Sequence, residues 1–387
     1  MTEAPLGAVR YRYHGAMPVA LASVVEELTA DRTLGPQIAA TLFLPAETVR
    51  HASAADLVSD PLGAALARQG AGRLWSHQAE GLAAVARDQN VLVTTPTASG
   101  KSLVFQLPVL EEALRGGTGR ALFLYPLKAL GQDQKVKLEE LARAAGLDEG
   151  RCGVAIYDGD TPRAERARIL AEPPRVVISN PDMLHLGILP SWQRWEPFLT
   201  DLRWVVLDEL HTYRGVFGCH FHHVLRRLER LCRALGARPR YVASSATAEN
   251  AGDFARQLTS GEFHWVRESG APREARHLVL CQPATSPYTT TLQLLVHLLE
   301  RGLKTIVFTK ARRITELLYK WLQQQSPALA GRVANYRSGF LPHERRDIER
   351  ALFEGRLDGV ISTSALEMGI DVGGLDACIL VGFPGSI

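Results

Sequence analysis

The sequence predicts an α/β fold of two units in tandem, each a parallel sheet flanked by helices. Three observations carry that expectation. From residue 91 onward, short β-branched runs alternate with amphipathic stretches of helical period, the pattern of parallel strands covered on both faces. A polar stretch, RESGAPREAR at 267–276, interrupts the alternation, which then restarts. The chain, at 387 residues, also exceeds the size at which one hydrophobic core keeps growing.

Taken in order, residues 1–65 show no clear periodicity and are expected as a helical or partly disordered lead-in. The first unit, 66–266, has strands expected at VLVTT (91–95), ALFLYP (121–126), GVAIYD (153–158), VVISN (176–180), WVVLDE (204–209) and YVASSAT (241–247). Between them, LVFQLPVLEEAL (103–114) sets leucines 103, 107, 110 and 114 on one helical face. In HFHHVLRRLERLCR (220–233), Leu225, Leu228, Leu231 and Leu235 mark a buried stripe, the arginines a solvated face, and the histidines lack metal-binding HExxH spacing. Trp192 and Trp195 are expected in the core, and Trp75 either in the core or stacked on a base. Residues 267–277 form a linker. The second unit, 278–387, has strands expected at LVLCQP (278–283), TIVFT (305–309), VANYRS (333–338), GVISTS (359–364) and ACILVGFP (377–384), and reads as incomplete.

With 46% apolar and 22% charged residues the composition is that of an ordinary globular protein. A net charge of +3 does not demand a polyanionic partner but suits one gripped in a local groove. No run approaches the roughly 18 apolar residues of a membrane span. The stretch AMPVALASVV (16–25) lacks the compact basic start of an export signal, so the expected location is the cytoplasm. The five scattered cysteines fit buried free thiols in a reducing compartment.

The chemistry lies where ligands of parallel sheets bind, at the carboxyl ends of strands. After VLVTT the chain runs through a loop ending in Gly100-Lys101-Ser102. The strict phosphate-loop pattern opens with glycine, and that place is Thr95 here. The physics survives: Ala98, Ser99 and Gly100 are small enough for backbone N–H groups to close on an anion. The next helix adds the partial positive charge of its N-terminus. Lys101 is placed to reach the β- and γ-phosphates and Ser102 to ligate magnesium, so Thr95, Pro96, Thr97, Ala98, Ser99, Gly100, Lys101 and Ser102 are expected to hold ATP and Mg2+. WVVLDELH (204–211) supplies the acids that such a site needs: Asp208 for magnesium and Glu209 to polarise the attacking water. His211 either couples this site to Ser245, Ala246 and Thr247 or is an exposed histidine.

PTASGKS, DELH and Ser245-Ala246-Thr247, in that order, resemble motifs I, II and III of superfamily-2 helicases of the DEAD/DEAH-box type. The likeness covers about residues 65–387 and implies two RecA-like P-loop NTPase domains. Leu74-Trp75-Ser76-His77-Gln78 is similar to a Q motif, in which Gln78 would hydrogen-bond the adenine edge. YPLKAL (125–130) resembles motif Ia and SNPDML (179–184) motif Ib; they imply nucleic-acid contacts by Lys128, Asn180, Pro181 and Asp182. IVFTKARR (306–313) resembles motif IV, and Ser362-Thr363-Ser364 through Gly369-Ile370-Asp371 motif V. These add Thr309 and Thr363 to the nucleic-acid contacts and Gly369 and Asp371 to the nucleotide, across a cleft that ATP closes. Finer segments (YDGDTP, YRGVFG, YRSGFLPHERRDIE, ALEMGIDVGGLDA) resemble bacterial and fungal 3′–5′ DNA helicases that repair crosslinked or mitomycin-damaged DNA and carry a further cysteine-rich domain.

The resemblance therefore implies an ATP-driven motor on single-stranded or forked DNA, gripping phosphates without regard to sequence. One departure stands out. An arginine-rich motif VI is expected just after GFPG, whereas the sequence ends at Ile387. The expectation is a truncated helicase that binds ATP and hydrolyses it poorly, because such arginines are worth roughly 10³–10⁵ in rate. Alternatives are an RNA helicase, a nucleotide-gated nucleic-acid clamp without catalysis, and a phosphate-loop kinase. DELH in place of DEAD disfavours the RNA helicase, and the second α/β unit disfavours the kinase.

Overall fold

The structure, a computed structural model, describes residues 21–53, 56–246, 249–337, 339–340, 342–363, 366 and 374–382. Contacts divide the chain into two compact units, Glu47–Arg273 and the combination of Met1–Ala46 with Glu274–Ile387.

In chain order, the latter unit begins with α1 (Leu21–Ala30) and β1 (Ile38–Leu44). The unit Glu47–Arg273 follows with α2 (Asp60–Arg68), α3 (Ser76–Ala86), β2 (Val91–Val93), α4 (Leu103–Leu114), β3 (Arg120–Leu124), α5 (Lys128–Ala144), α6 (Glu149–Cys152) and β4 (Val154–Ile156). It continues through α7 (Arg163–Ala171), β5 (Val176–Ser179), α8 (Pro181–Met183), α9 (Trp192–Thr200), β6 (Leu202–Leu207), α10 (Gly215–Ala234), β7 (Arg240–Ser244), α11 (Ala251–Thr259) and β8 (His264–Val266). The chain then returns with β9 (Arg276–Cys281), α12 (Pro287–Glu300), β10 (Thr305–Phe308), α13 (Arg312–Gln325), α14 (Pro327–Ala330), β11 (Val333–Tyr336), α15 (Pro342–Phe353), β12 (Gly359–Ser362) and β13 (Ala377–Leu380).

The unit Glu47–Arg273 holds a parallel sheet in the order β4-β5-β3-β6-β7-β2-β8. Its strands are apolar at nearly every position because both faces are covered. Successive residues serve opposite cores. Val91 and Val93, Ala121 and Phe123, and Trp204 and Val206 pack with α2–α5. Leu92, Leu122, Leu124, Val205 and Leu207 pack with α9, α10 and α11. The period of two along each strand produces this division.

Leu225 and Leu228 of α10 are fully buried, with Leu231 and Leu235 packed at the core margin, as the leucine stripe implied. Trp195 is fully buried, edge-on to Tyr157 at 4.8 Å and to Phe198 at 5.7 Å. Truncating so large a buried ring leaves a cavity that the rigid sheet cannot close. Trp195→Ala should therefore destabilise the unit by about 3–5 kcal/mol. Urea denaturation measures this, and a loss below about 1 kcal/mol would show that the ring is not a core element.

The other unit carries a parallel sheet in the order β11-β12-β10-β13, and a separate antiparallel ribbon of β1 with β9. Two expectations shift here. The run at 278–283 is not a strand of the parallel sheet. β9 alternates between exposed and half-buried residues and pairs with β1, itself part of the supposed lead-in. Residues 21–44 accordingly group with 274–387, and the linker expected at 267–277 is divided between the end of one unit and β9. All five cysteines are free, but only Cys152 and Cys232 are buried; Cys219 and Cys378 are exposed.

Candidate functional site

The strand order brings the carboxyl ends of β6, β7 and β2 side by side. Leaving β2, the chain forms a loop that is wound tightly enough to need left-handed backbone at Ala98 (φ 58°) and Gly100 (φ 62°). Gly100 has a second reason to lack a side chain: a Cβ there would lie 2.6 Å from Gln78 Nε2 and 3.3 Å from the Trp75 ring. The absent first glycine is also explained. Thr95 is buried, and its hydroxyl lies 2.6 Å from the Ser99 hydroxyl, bridging the loop from inside. Pro96 is half-buried, whereas Thr97 and Ala98 are exposed at the loop mouth.

Lys101 Nζ donates to the carbonyl oxygens of Thr95 (2.8 Å) and Pro96 (2.9 Å). Burial pushes its pKa down, and the charges of Glu209 and Asp208 push it back up. The lysine thus lies within electrostatic reach of both acids. Ser102 follows at the start of α4, where its carbonyl takes the amide of Gln106 at 2.9 Å.

Asp208 directly follows β6 and accepts a hydrogen bond from the hydroxyl of Ser244, the last residue of β7. Burial first, and then the neighbouring Glu209, raise its pKa to about 6. Burial also raises the pKa of Glu209, which Lys101 opposes. Glu209 occupies the left-handed region (φ 49°), a strained conformation for a residue with a side chain. His211 Nδ1 is 3.3 Å from Glu209 Oε2, and equally 3.3 Å from the Ser245 hydroxyl and the Ala246 amide nitrogen. His211 thus lies between Glu209 and residues 245–246. Thr247 lies outside the described residues, as do Gly369 and Asp371.

Gln78 is buried and already occupied. Its Oε1 accepts from the Trp75 N–H (2.9 Å) and its Nε2 donates to the Gly100 carbonyl (3.0 Å). In this arrangement it ties the loop to α3. Two residues escaped the sequence reading. Ser244 holds Asp208, and its signal was its place at the end of a strand beside the acid-bearing one. His77 is fully buried and bonds the Ser99 carbonyl at 2.8 Å; its signal was a polar pair, His77-Gln78, at the start of a helix rich in alanine.

In the unit Glu47–Arg273, Lys128 is exposed and paired with Asp160 at 2.7 Å. Asn180 caps α8, its side chain accepting from the Met183 N–H at 2.9 Å, with Pro181 buried behind it and Asp182 exposed. In the other unit, Thr309 and Thr363 are buried, and the Thr309 hydroxyl donates to the Ala311 carbonyl at 3.3 Å.

Residues 75–254 match the DEAD/DEAH box helicase family, and residues 290–387 match the helicase conserved C-terminal domain. The chain belongs to the DEAD/DEAH-box helicases of superfamily 2. Two relatives of this helicase illustrate the likeness. The ATP-dependent helicase YprA of Bacillus subtilis is 39% identical over 85% of the chain and 45% of its own length. The ATP-dependent helicase HRQ1 of Saccharomyces cerevisiae is 34% identical over 94% of the chain and 35% of its own length. In structure the helicase resembles the DUF1998 helicase MrfA bound to DNA: TM-score 0.88 and 36% identity, over 95% of this chain and 52% of that one. The chain thus spans between about a third and a half of these relatives. Among the described residues, no helix is long and apolar enough to cross a membrane.

Proposed function

We propose that this helicase chain couples ATP hydrolysis to 3′–5′ stepping along single-stranded or forked DNA, in the service of DNA repair and in the cytoplasm. One observation carries the nucleotide part of that reading. Lys101, Asp208 and Glu209, from separate stretches of sequence, converge at the carboxyl edge of one sheet within electrostatic reach of one another.

The residues fit the ligands this requires. Lys101 spends its donors on two carbonyls of its own loop, partners that a triphosphate replaces with stronger, charged acceptors. The Ser102 hydroxyl and the Asp208 carboxylate form an all-oxygen donor set suited to Mg2+. When bound, Mg2+ would be held by Ser102 and Asp208 and would neutralise charge on the phosphates. Glu209 takes the proton of the attacking water. Because Asp208 bonds Ser244 and His211 touches both Glu209 and residues 245–246, a change of charge at the acids reaches the end of β7 directly. Lys128 grips backbone phosphate in exchange for its exposed pairing with Asp160, a pair that solvent makes weak. MrfA, solved bound to DNA and AMPPNP, supports DNA as the track and ATP as the fuel.

The test compares ATP hydrolysis with single-stranded DNA and with RNA of equal length. Stimulation by DNA, declining steeply with salt, is the expected result. Preference for RNA would replace the DNA reading with the RNA-helicase one, and the absence of stimulation by either polymer would remove the motor.

Asp208 also gives a pH signature in the metal-free protein. Its folded pKa, about 6, lies above the unfolded carboxylate value. The folded state therefore holds more protons between pH 4 and 6, and this group's contribution to stability falls as pH rises through that window, then levels off. The full effect is roughly 3 kcal/mol at most. Asp208→Asn should remove it. The difference in urea stability between wild type and variant, followed from pH 4 to 7, should slope accordingly; a flat difference contradicts the assignment.

A further inference from the structure

The chain enters the unit Glu47–Arg273 at Glu47 and leaves it at Arg273, and these two points are bound to each other. Glu47 N–H donates to the Arg273 carbonyl (2.9 Å), Arg273 N–H returns a bond to Glu47 (3.1 Å), and their side chains pair at 2.9 Å. The pairing continues inward, where Arg50 N–H donates to the Gly270 carbonyl (2.9 Å) and the Arg50 guanidinium holds Glu268 (3.0 Å) and the Ser269 carbonyl (2.9 Å). Gly270 is wedged against α3: a Cβ there would lie 2.5 Å from the Arg50 carbonyl and 2.6 Å from the Ser76 nitrogen, both backbone atoms.

His77 joins this paired segment to the phosphate loop. Its Nδ1 accepts the Gly270 N–H at 3.1 Å, so the ring proton resides on Nε2 and is donated to the Ser99 carbonyl at 2.8 Å. The consequence follows from peptide geometry. In a trans peptide the C=O and N–H point in opposite directions. Holding the Ser99 carbonyl toward α3 turns the Gly100 N–H away from α3. Gln78 does the same one residue later, holding the Gly100 carbonyl and turning out the Lys101 N–H. Two successive amides are thereby turned out together, the arrangement that binds anions.

We propose that His77 is a positioning residue: it pre-aims the phosphate-loop amides and couples their conformation to the paired segments 47–50 and 270–273 through which the chain enters and leaves the unit. Occupancy of the loop is then felt at the exit segment through one imidazole. This rests on the reading that the loop binds ATP.

The test uses the whole chain, with a fluorescent Mg2+–ATP analogue for affinity and hydrogen exchange of the peptide around Gly270 as a second readout. His77→Phe, which keeps the ring but neither bond, should weaken analogue binding about tenfold or more, since a hydrogen bond to a buried group carries about that factor. It should also speed exchange at Gly270. His77→Gln places an amide N–H near the former Nε2 and should recover affinity to within about threefold, while Gly270 remains unprotected. His77→Asn places an acceptor near the former Nδ1 and should do the reverse. In the wild type the analogue should alter exchange at 268–273, and in all three variants it should not. Were the role merely structural, affinity and protection would fall together in every variant, in step with the melting temperature, and that result overturns the proposal. If the wild type binds the analogue and His77→Phe binds it equally well, the positioning role of His77 is refuted while the nucleotide reading stands; if the wild type does not bind it, the nucleotide reading falls and the proposal with it.

Discussion

Glu209→Gln is expected to lower DNA-stimulated ATP turnover by about 10²–10⁴-fold, the usual worth of a positioned general base, while leaving ATP affinity within about threefold. An amide has the shape of the carboxylate and cannot take a proton. The structure shows why this acid, rather than its neighbour, should give that split. Asp208 is committed to Ser244 at the end of β7, whereas Glu209 stands on left-handed backbone just past β6, its charge sensed by Lys101. The strain at Glu209 is an observed departure of the kind that clusters at reactive sites. Phosphate release under saturating DNA measures the turnover, and binding of a non-hydrolysable analogue measures the affinity. A variant within tenfold of wild-type turnover would remove Glu209 from the chemistry.

Lys101→Ala should act on the other quantity. Charged hydrogen bonds contribute about 1.5–3 kcal/mol, so affinity for the ATP analogue should fall roughly 10- to 150-fold, with turnover lost in proportion at subsaturating ATP. The lysine lies within the loop, bonded to two of its carbonyls, so the phosphates exchange one set of partners for another instead of meeting a free amine. Lys101→Arg should rescue only part of the affinity, because a planar fork does not fit where a compact ammonium meets two carbonyls. Unchanged affinity in Lys101→Ala would place the triphosphate elsewhere.

Much of the fold was legible because its signals are local. The helix Leu103–Leu114 has the bounds that its leucine spacing suggested, and ten of the expected β-branched runs contain strands of the two parallel sheets. The failures have physical causes. β8 spans three residues, with a histidine and a tryptophan before its valine, too short to show a period. β9 looks like one more parallel strand, but its partner β1 lies far earlier in a stretch without periodicity, and sequence order does not reveal such pairings.

The candidate site divides along the same line. Residues 95–102 and 208–209 carry their chemistry in their types and order: small residues before a lysine, and acids at the end of an apolar strand. That much was legible without coordinates, and it determined the class of protein. Only tertiary structure decided what surrounds them. Asp208 is held by Ser244, the Thr95 hydroxyl fills the place of a glycine, Gln78 is spent on Gly100, and His77 bonds both Ser99 and Gly270, the latter 193 positions further along the chain. The reason is geometric: a motif records which groups a reaction needs, whereas the hydrogen bonds that aim those groups join segments brought together only when the sheet aligns its strand ends.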